Sequence, residues 1–434
     1  MIMEGHTMNN DTEVNATYSL YDIAKLREAG QLNEAYIAMQ SYYPEHTEEK
    51  NCANLYGWIL SDLACAAAEK QDIKELCRIL EEMCAISIDK STIPPMEHLA
   101  WGLLKMLRMY AEKNWNDYAV LDALIAPLKL MHYHEGSKVA SLICSGVCKV
   151  KNWKRAGELL IVLANYLLQD DYLPYKSPTT GRKIMSLAEN ANCKICNWLL
   201  QSAPHDEVEQ FLPTQRTLIK AHPEYTYPTF YLAKMLLKCG RNEEAIMELK
   251  PFVRQKSGDF WVWELLGDAQ ETVEESLPYY SKALLCRSKE EFLVKLYEKV
   301  GLVFAQVEQY PLAHTLLDKA IEIRKSHGWH AGYDLIQSIR QNWYLNSEPA
   351  KNAHEILEQT AEEAEIYLYG ENKVFQGVLR INAEKGFGFV GNIYVDRKLI
   401  RRLKDGAEVK GRAVKSFDKK KNREGWKAIT LQKA

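Results

Sequence analysis

Residues 381–400 read INAEKGFGFVGNIYVDRKLI, and the architecture of the last part of the chain can be read from them. Aromatic and β-branched residues alternate with small ones on either side of Gly391-Asn392, a dipeptide suited to a two-residue hairpin turn. Such a turn sets Phe389 opposite Tyr394, Phe387 opposite Asp396 and Lys385 opposite Lys398. Strand side chains alternate between faces, so these six share one face. Val390, Ile393 and Val395 turn the other way, toward a core, together with Gly386 and Gly388. Three aromatic rings bordered by cations make a poor core and a good stacking platform. Bases stack on such rings for about 1–3 kcal/mol each, while the cations track the phosphates.

Working outward, VFQGVLRI (374–381), AEVKGRAVKSF (407–417) and GWKAITLQ (425–432) read as further short strands. Asp405-Gly406 and the stretch from Asn422 to Gly425 supply turns between them. This pattern predicts a small five-stranded β-barrel over residues 371–434. The same segment holds 17 Lys/Arg against 7 Asp/Glu, a charge of +10. The other 370 residues hold 38 against 51, a charge of −13, so the chain's formal −3 conceals two opposite surfaces. A basic module on an acidic chain points to nucleic acid as one partner. Lys419, Lys420, Lys421 and Arg423 crowd one loop and read as a phosphate clamp. Trp426 starts a strand and reads equally as core or as the edge of the platform.

NAEKGFGFV (382–390) resembles the first ribonucleoprotein motif of cold-shock domains, and IYVDRKLI (393–400) is similar to the second. LKDGAEVKGRAV (403–414) resembles the segment between that family's third and fourth strands. The resemblance implies an oligonucleotide-binding fold and single-stranded RNA or DNA as the ligand. It implies Phe387, Phe389 and Tyr394 as stacking residues, and Lys385 as the basic residue of the first motif. Arg380 stands where the family has a stacking Trp, Asp396 where it has His, and Arg397 where it has an aromatic. The platform is therefore smaller and more cationic, although an Arg can stack its guanidinium on a base. The binding set read from the sequence is Arg380, Lys385, Phe387, Phe389, Tyr394, Arg397, Lys398, Lys419, Lys420, Lys421, Arg423 and Trp426.

From Ser19 to about Gly370 the apolar periodicity is helical, with short breaks. Trp263, Leu266 and Gly267 keep the order W-x2-L-G in FWVWELLGDAQ. Thirty-four positions later stand Tyr297, Val300 and Gly301, and then Ala313, Leu317 and Ala320. Thirty-four positions earlier lies TFYLAKMLLKCGRNEEAIMEL, with Gly240, Glu244 and Ala245 at an inter-helix turn, and the same G-x3-E-A recurs at Gly30, Glu34 and Ala35. These residues resemble tetratricopeptide repeats. Small residues at 245, 267, 301 and 313 would let paired helices approach closely, and Trp263 and Tyr297 would fill the gaps. SLPYYSKAL (276–284) arrives about three residues early, so the first helix of that unit or its turn is short. The expected fold is mainly α, a tetratricopeptide-like helical-repeat solenoid followed by a small C-terminal five-stranded β-barrel. The expected divisions are a disordered lead over 1–17, divergent helical repeats over 18–220, tetratricopeptide repeats over 221–345, an acidic linking helix over 346–370 that spaces the array from the barrel, and the barrel itself over 371–434. Helical repeats bury a continuous core and present a surface that suits a protein partner.

Several classes drop out. No run reaches the ~18–20 apolar residues of a membrane span. The first residues are polar with no apolar signal core, and the expected compartment is the cytoplasm. All ten cysteines precede residue 371 and read as thiols packed between helices. Cys193 and Cys196 lack a second ligand pair, and His132 and His134 lack partners, so no metal or cofactor is expected. No nucleophile–base set or phosphate-cradling loop stands out, so no enzyme is expected. LPYKSPTTGRK (173–183) reads as an exposed loop. The expected function is a non-enzymatic adaptor that holds single-stranded RNA or DNA on the barrel and a protein partner on the helical repeats. The alternative is a scaffold or regulatory subunit of a bacterial defence or stress assembly, in which the basic barrel docks protein or autoinhibits the acidic array.

Overall fold

Among the described residues, apolar residues at helical spacing give mostly helices between Leu20 and Tyr369, and the longer strands begin at Asn372. The computed structural model describes residues 18–86, 93–113, 118–177, 179–181, 183–370, 372–400, 403–418 and 423–434. The expected disordered lead lies outside the described residues. The chain forms two compact units, residues 1–231 and 232–434.

In the first unit the main helices are joined by short breaks whose caps are legible. Ser186 Oγ accepts from the Glu189 N–H at 3.0 Å, which satisfies one of the donors that open the Leu187–Ser202 helix. Cys193 and Cys196 lie on that helix, and Cys196 Sγ donates to Gln215 Oε1 at 3.5 Å. Burial pushes the Cys193 thiol up to about 12, which leaves it a packing group and not a nucleophile. The stretch 173–183 carries two short strands, β1 (Tyr175–Lys176) and β2 (Lys183–Ile184), paired antiparallel. The helical periodicity around them does not announce this hairpin.

The second unit begins with packed helical pairs. The Phe260–Asp268 helix is only 9 residues long, against 17 for Glu290–Gln306. Thr272 and Glu275 form a capping box that starts the next helix, Val273–Leu284. A Cβ on Gly267 would lie 2.6 Å from the Tyr280 ring, and one on Gly301 would lie 2.7 Å from Leu317. Both glycines therefore set the helix separation, while Trp263, one turn before Gly267 on the same helix, is fully buried. The Ala353–Tyr369 helix buries Leu357, Ala361, Ala364 and Leu368, a single stripe at helical spacing. Arg254 Nε donates to the Leu368 carbonyl at 2.9 Å, and Lys250 stands 4.1 Å from the Tyr367 ring. This helix packs back onto its own array as well as leading into the barrel, so it is more than a spacer.

The barrel begins almost at once. Its strands are β3 (Asn372–Ile381), β4 (Gly388–Val390), β5 (Ile393–Val395), β6 (Glu408–Asp418) and β7 (Arg423–Lys433). They close in the order β3-β4-β5-β7-β6, antiparallel except for the β5–β7 pair. The core is Phe375, Leu379, Val390, Ile393, Val395, Ile400, Val409, Ala413 and Ala428. On the strands these are alternate residues, as a half-buried sheet requires.

Candidate nucleic-acid interface

The β4–β5 hairpin turns on Gly391 and Asn392 with Phe389 opposite Tyr394. Gly391 has φ +58°, so glycine takes the first turn position, as a type II′ hairpin demands. Val390, Ile393 and Val395 point into the core. A Cβ on Gly388 would meet the Arg380 carbonyl at 2.8 Å, which is why β4 can press so closely on β3.

The other face of the hairpin carries the rings. Phe387, Phe389 and Tyr394 form a triangle with centroids 5.5–5.8 Å apart. Phe389 remains 37% exposed, although it lies on a barrel wall with a core a few ångströms away. Burial, and then the Asp396 carboxylate, push the Tyr394 phenol up, so it stays a neutral donor at physiological pH. Exposed Arg380 pairs across β3–β4 with Phe389. Exposed Lys427 pairs across β5–β7 with Tyr394. Register partners share a face, so Arg380, Phe389, Tyr394 and Lys427 form one row across four strands.

Two features of the expected face need correction. The ladder ends at Gly388–Val395, so Phe387 is not paired with Asp396, nor Lys385 with Lys398. Asn382 prevents the extension: its side-chain oxygen accepts from the Lys385 N–H at 2.9 Å and its carbonyl from the Gly386 N–H at 2.8 Å. That turn needs φ +70° at Gly386. Lys385 is exposed on the turn, and Lys398 belongs to the one-turn helix Arg397–Ile400. Arg397 is exposed and lays its side chain against Gly386. The Phe387 ring still reaches the cluster from the end of the turn.

Trp426 pairs with Ile393 on the core side of the wall, half-buried against the core, so Lys427 and not Trp426 continues the platform. Sequence reasoning missed Lys427. Its parity depends on the register of a parallel pair that no short turn connects, and the only available signal was its place beside Trp426 in an alternating run. Lys419, Lys420 and Lys421 lie outside the described residues, and Arg423 opens β7.

The opposite side of the barrel is spoken for. In the ring of strands, β6 neighbours β3 and β7 but neither β4 nor β5. From β6, Arg412 Nε bonds Glu365 at 2.7 Å and its Nη2 bonds Glu362, both on the Ala353–Tyr369 helix. Glu365 is also bonded by Lys282 of the Val273–Leu284 helix. The Glu365 side chain is 8% exposed and the Arg412 side chain 15%.

Among the described residues, no group of three or more His, Cys, Asp or Glu could hold a metal ion, and no helix is long and apolar enough to cross a membrane. Residues 373–431 match the S1/CSD-like domain 2 of the TOTE conflict systems. Residues 226–364 match a domain of unknown function, DUF7017. No curated protein matches the chain. The helical match carries no repeat name, so what is shown of that region is its helices. The barrel is S1/cold-shock-like, and its likeness suggests a nucleic-acid-binding or defence-associated role.

Proposed function

We propose that the chain is a non-enzymatic adaptor that binds single-stranded RNA or DNA on the β4–β5 face of its barrel and a protein partner on its helical region. The observation that carries this reading is the surface triangle of Phe387, Phe389 and Tyr394, continued by Arg380 and Lys427. Rings at the middle of the row offer stacking to any base. Cations at its ends offer phosphate contacts, and Arg380 can also stack. Lys385 and Arg397 add charge at the Asn382 turn. The similarity to a domain of conflict systems supports a defence setting for such an adaptor. The paired small and large residues at 263, 267, 297 and 301 support a tetratricopeptide-like scaffold for the protein partner.

The alternative, a docking or regulatory barrel, draws on the Lys282–Glu365–Arg412 contact. The two readings are compatible, because that contact uses β6 and the rings use β4 and β5.

Fluorescence anisotropy tests the nucleic-acid half of the proposal. The full chain is titrated into labelled single-stranded and duplex oligonucleotides at several salt concentrations. Single strands are expected to bind more tightly, with affinity falling as salt rises. Absence of binding at low salt would sink the adaptor reading and leave the docking barrel.

A further inference from the structure

Where the β4–β5 turn meets the β6–β7 ribbon, the barrel wall opens into a second concavity of about 370 Å³. Its walls are Asn392, Lys415, Glu424, Gly425 and Trp426. It is built differently from the ring triangle. The half-buried Trp426 indole rests on the barrel core, with Lys415 opposite it in the ladder. Lys373 Nζ stands 5.7 Å from the indole centroid, so two lysines border one ring. Two side chains there can address a base edge. The Asn392 amide both donates and accepts, whereas the Glu424 carboxylate accepts only.

We propose that this concavity seats one base of the bound strand and selects bases with an amino group where uracil has its O4 carbonyl, namely adenine and cytosine. The inference rests on the single-strand reading above and adds a preference to it. Adenine and cytosine present an amino donor that Glu424 can accept from. Uracil and thymine present a carbonyl at that position, so a base seated to offer its exocyclic group sets like polarity against the carboxylate, and only the N3–H beside it is left to donate. The ring triangle contributes chiefly stacking, which tolerates any base. Affinity would then come chiefly from one face and preference from the other. The two are close enough to share a strand. Asn392 and Tyr394 are two residues apart on the same hairpin, roughly 7 Å of extended chain. The lysines keep the concavity net positive despite Glu424, as a passing phosphate requires.

Anisotropy of the full chain with RNA homo-oligomers of adenine, cytosine and uracil, at one low salt concentration, reads the preference. Adenine and cytosine strands are expected to bind at least about fivefold more tightly than uracil. Glu424→Gln supplies a donor as well as an acceptor, so it should raise uracil affinity and bring the ratio toward one. Asn392→Ala removes a group that can donate or accept, so it should weaken all three strands alike and leave the ratio in place. Both positions are exposed, and thermal melts check that the variants fold. Equal wild-type affinities for the three strands, or a ratio that Glu424→Gln leaves unchanged, would overturn the proposal while the single-strand reading stands. Failure of every strand to bind would overturn both.

Discussion

On β6, Arg412 is enclosed between Glu362 and Glu365, with Lys282 completing the charge balance from a neighbouring helix. On β4 and β5, the same barrel presents three clustered rings flanked by Arg380 and Lys427 and leaves Phe389 open to solvent. Both sides are cationic, but the charge does different work on each. On the helix side it is matched by carboxylates and fixes where the barrel sits. On the ring side it stands beside aromatic surface that would otherwise belong in a core. Net charge alone does not separate the two; burial and partners do.

Substitutions should separate the sides, and the largest effect belongs to the helix side. Glu365→Ala leaves Lys282 and Arg412 enclosed without their shared carboxylate, and should cost about 3–5 kcal/mol. Thermal or denaturant unfolding of the full chain reads this loss, and oligonucleotide affinity measured well below the melting temperature should hardly change. An unchanged melting temperature would mean that the buried triad does not anchor the barrel.

Gly388→Ala strikes the join between core and platform. The added methyl meets the Arg380 carbonyl, Leu379 and Ile400. Prising β4 from β3 should cost about 1–3 kcal/mol of stability and disorder the rings as well. A variant of wild-type stability would show that β4 can shift without penalty.

Phe389→Ala should do the reverse of Glu365→Ala. It should weaken single-strand binding by about 1–3 kcal/mol with little change in melting temperature, because the ring already faces water. Equal losses of affinity and stability would place Phe389 in the core's service.

The smallest effects fall on the ends of the row. Arg380→Ala and Lys427→Ala should each lower the salt slope of binding by about 0.7, one phosphate contact on a single strand, and should do so for every sequence alike. A slope that neither changes would remove them from the phosphate path.

Much of this comparison was legible in the hairpin. A Gly-Asn turn of two residues leaves one register, and strand alternation then assigns Val390, Ile393 and Val395 inward and Phe389 and Tyr394 outward. Legibility ended where local hydrogen bonding competed with strand extension. Asn382 folds its own turn, and the Leu399 N–H returns to the Asp396 carbonyl, so neither Lys385 nor Lys398 continues the ladder. Partners distant in sequence were equally hidden. Arg412 and Glu365 are 47 residues apart, and no periodicity links a strand to a helix across that separation. The parity of β7 is also non-local, because β5 reaches it only in a parallel pairing.

Photocrosslinking of a single-stranded oligonucleotide to the full chain, with mass-spectrometric mapping of the modified peptides, tests the central assignment most directly. Crosslinks are expected within residues 387–394, centred on Phe387, Phe389 and Tyr394, and should fall in Phe389→Ala in step with the loss of affinity. Crosslinks confined to the helical region, or to the β6 side around Arg412, would contradict the assignment.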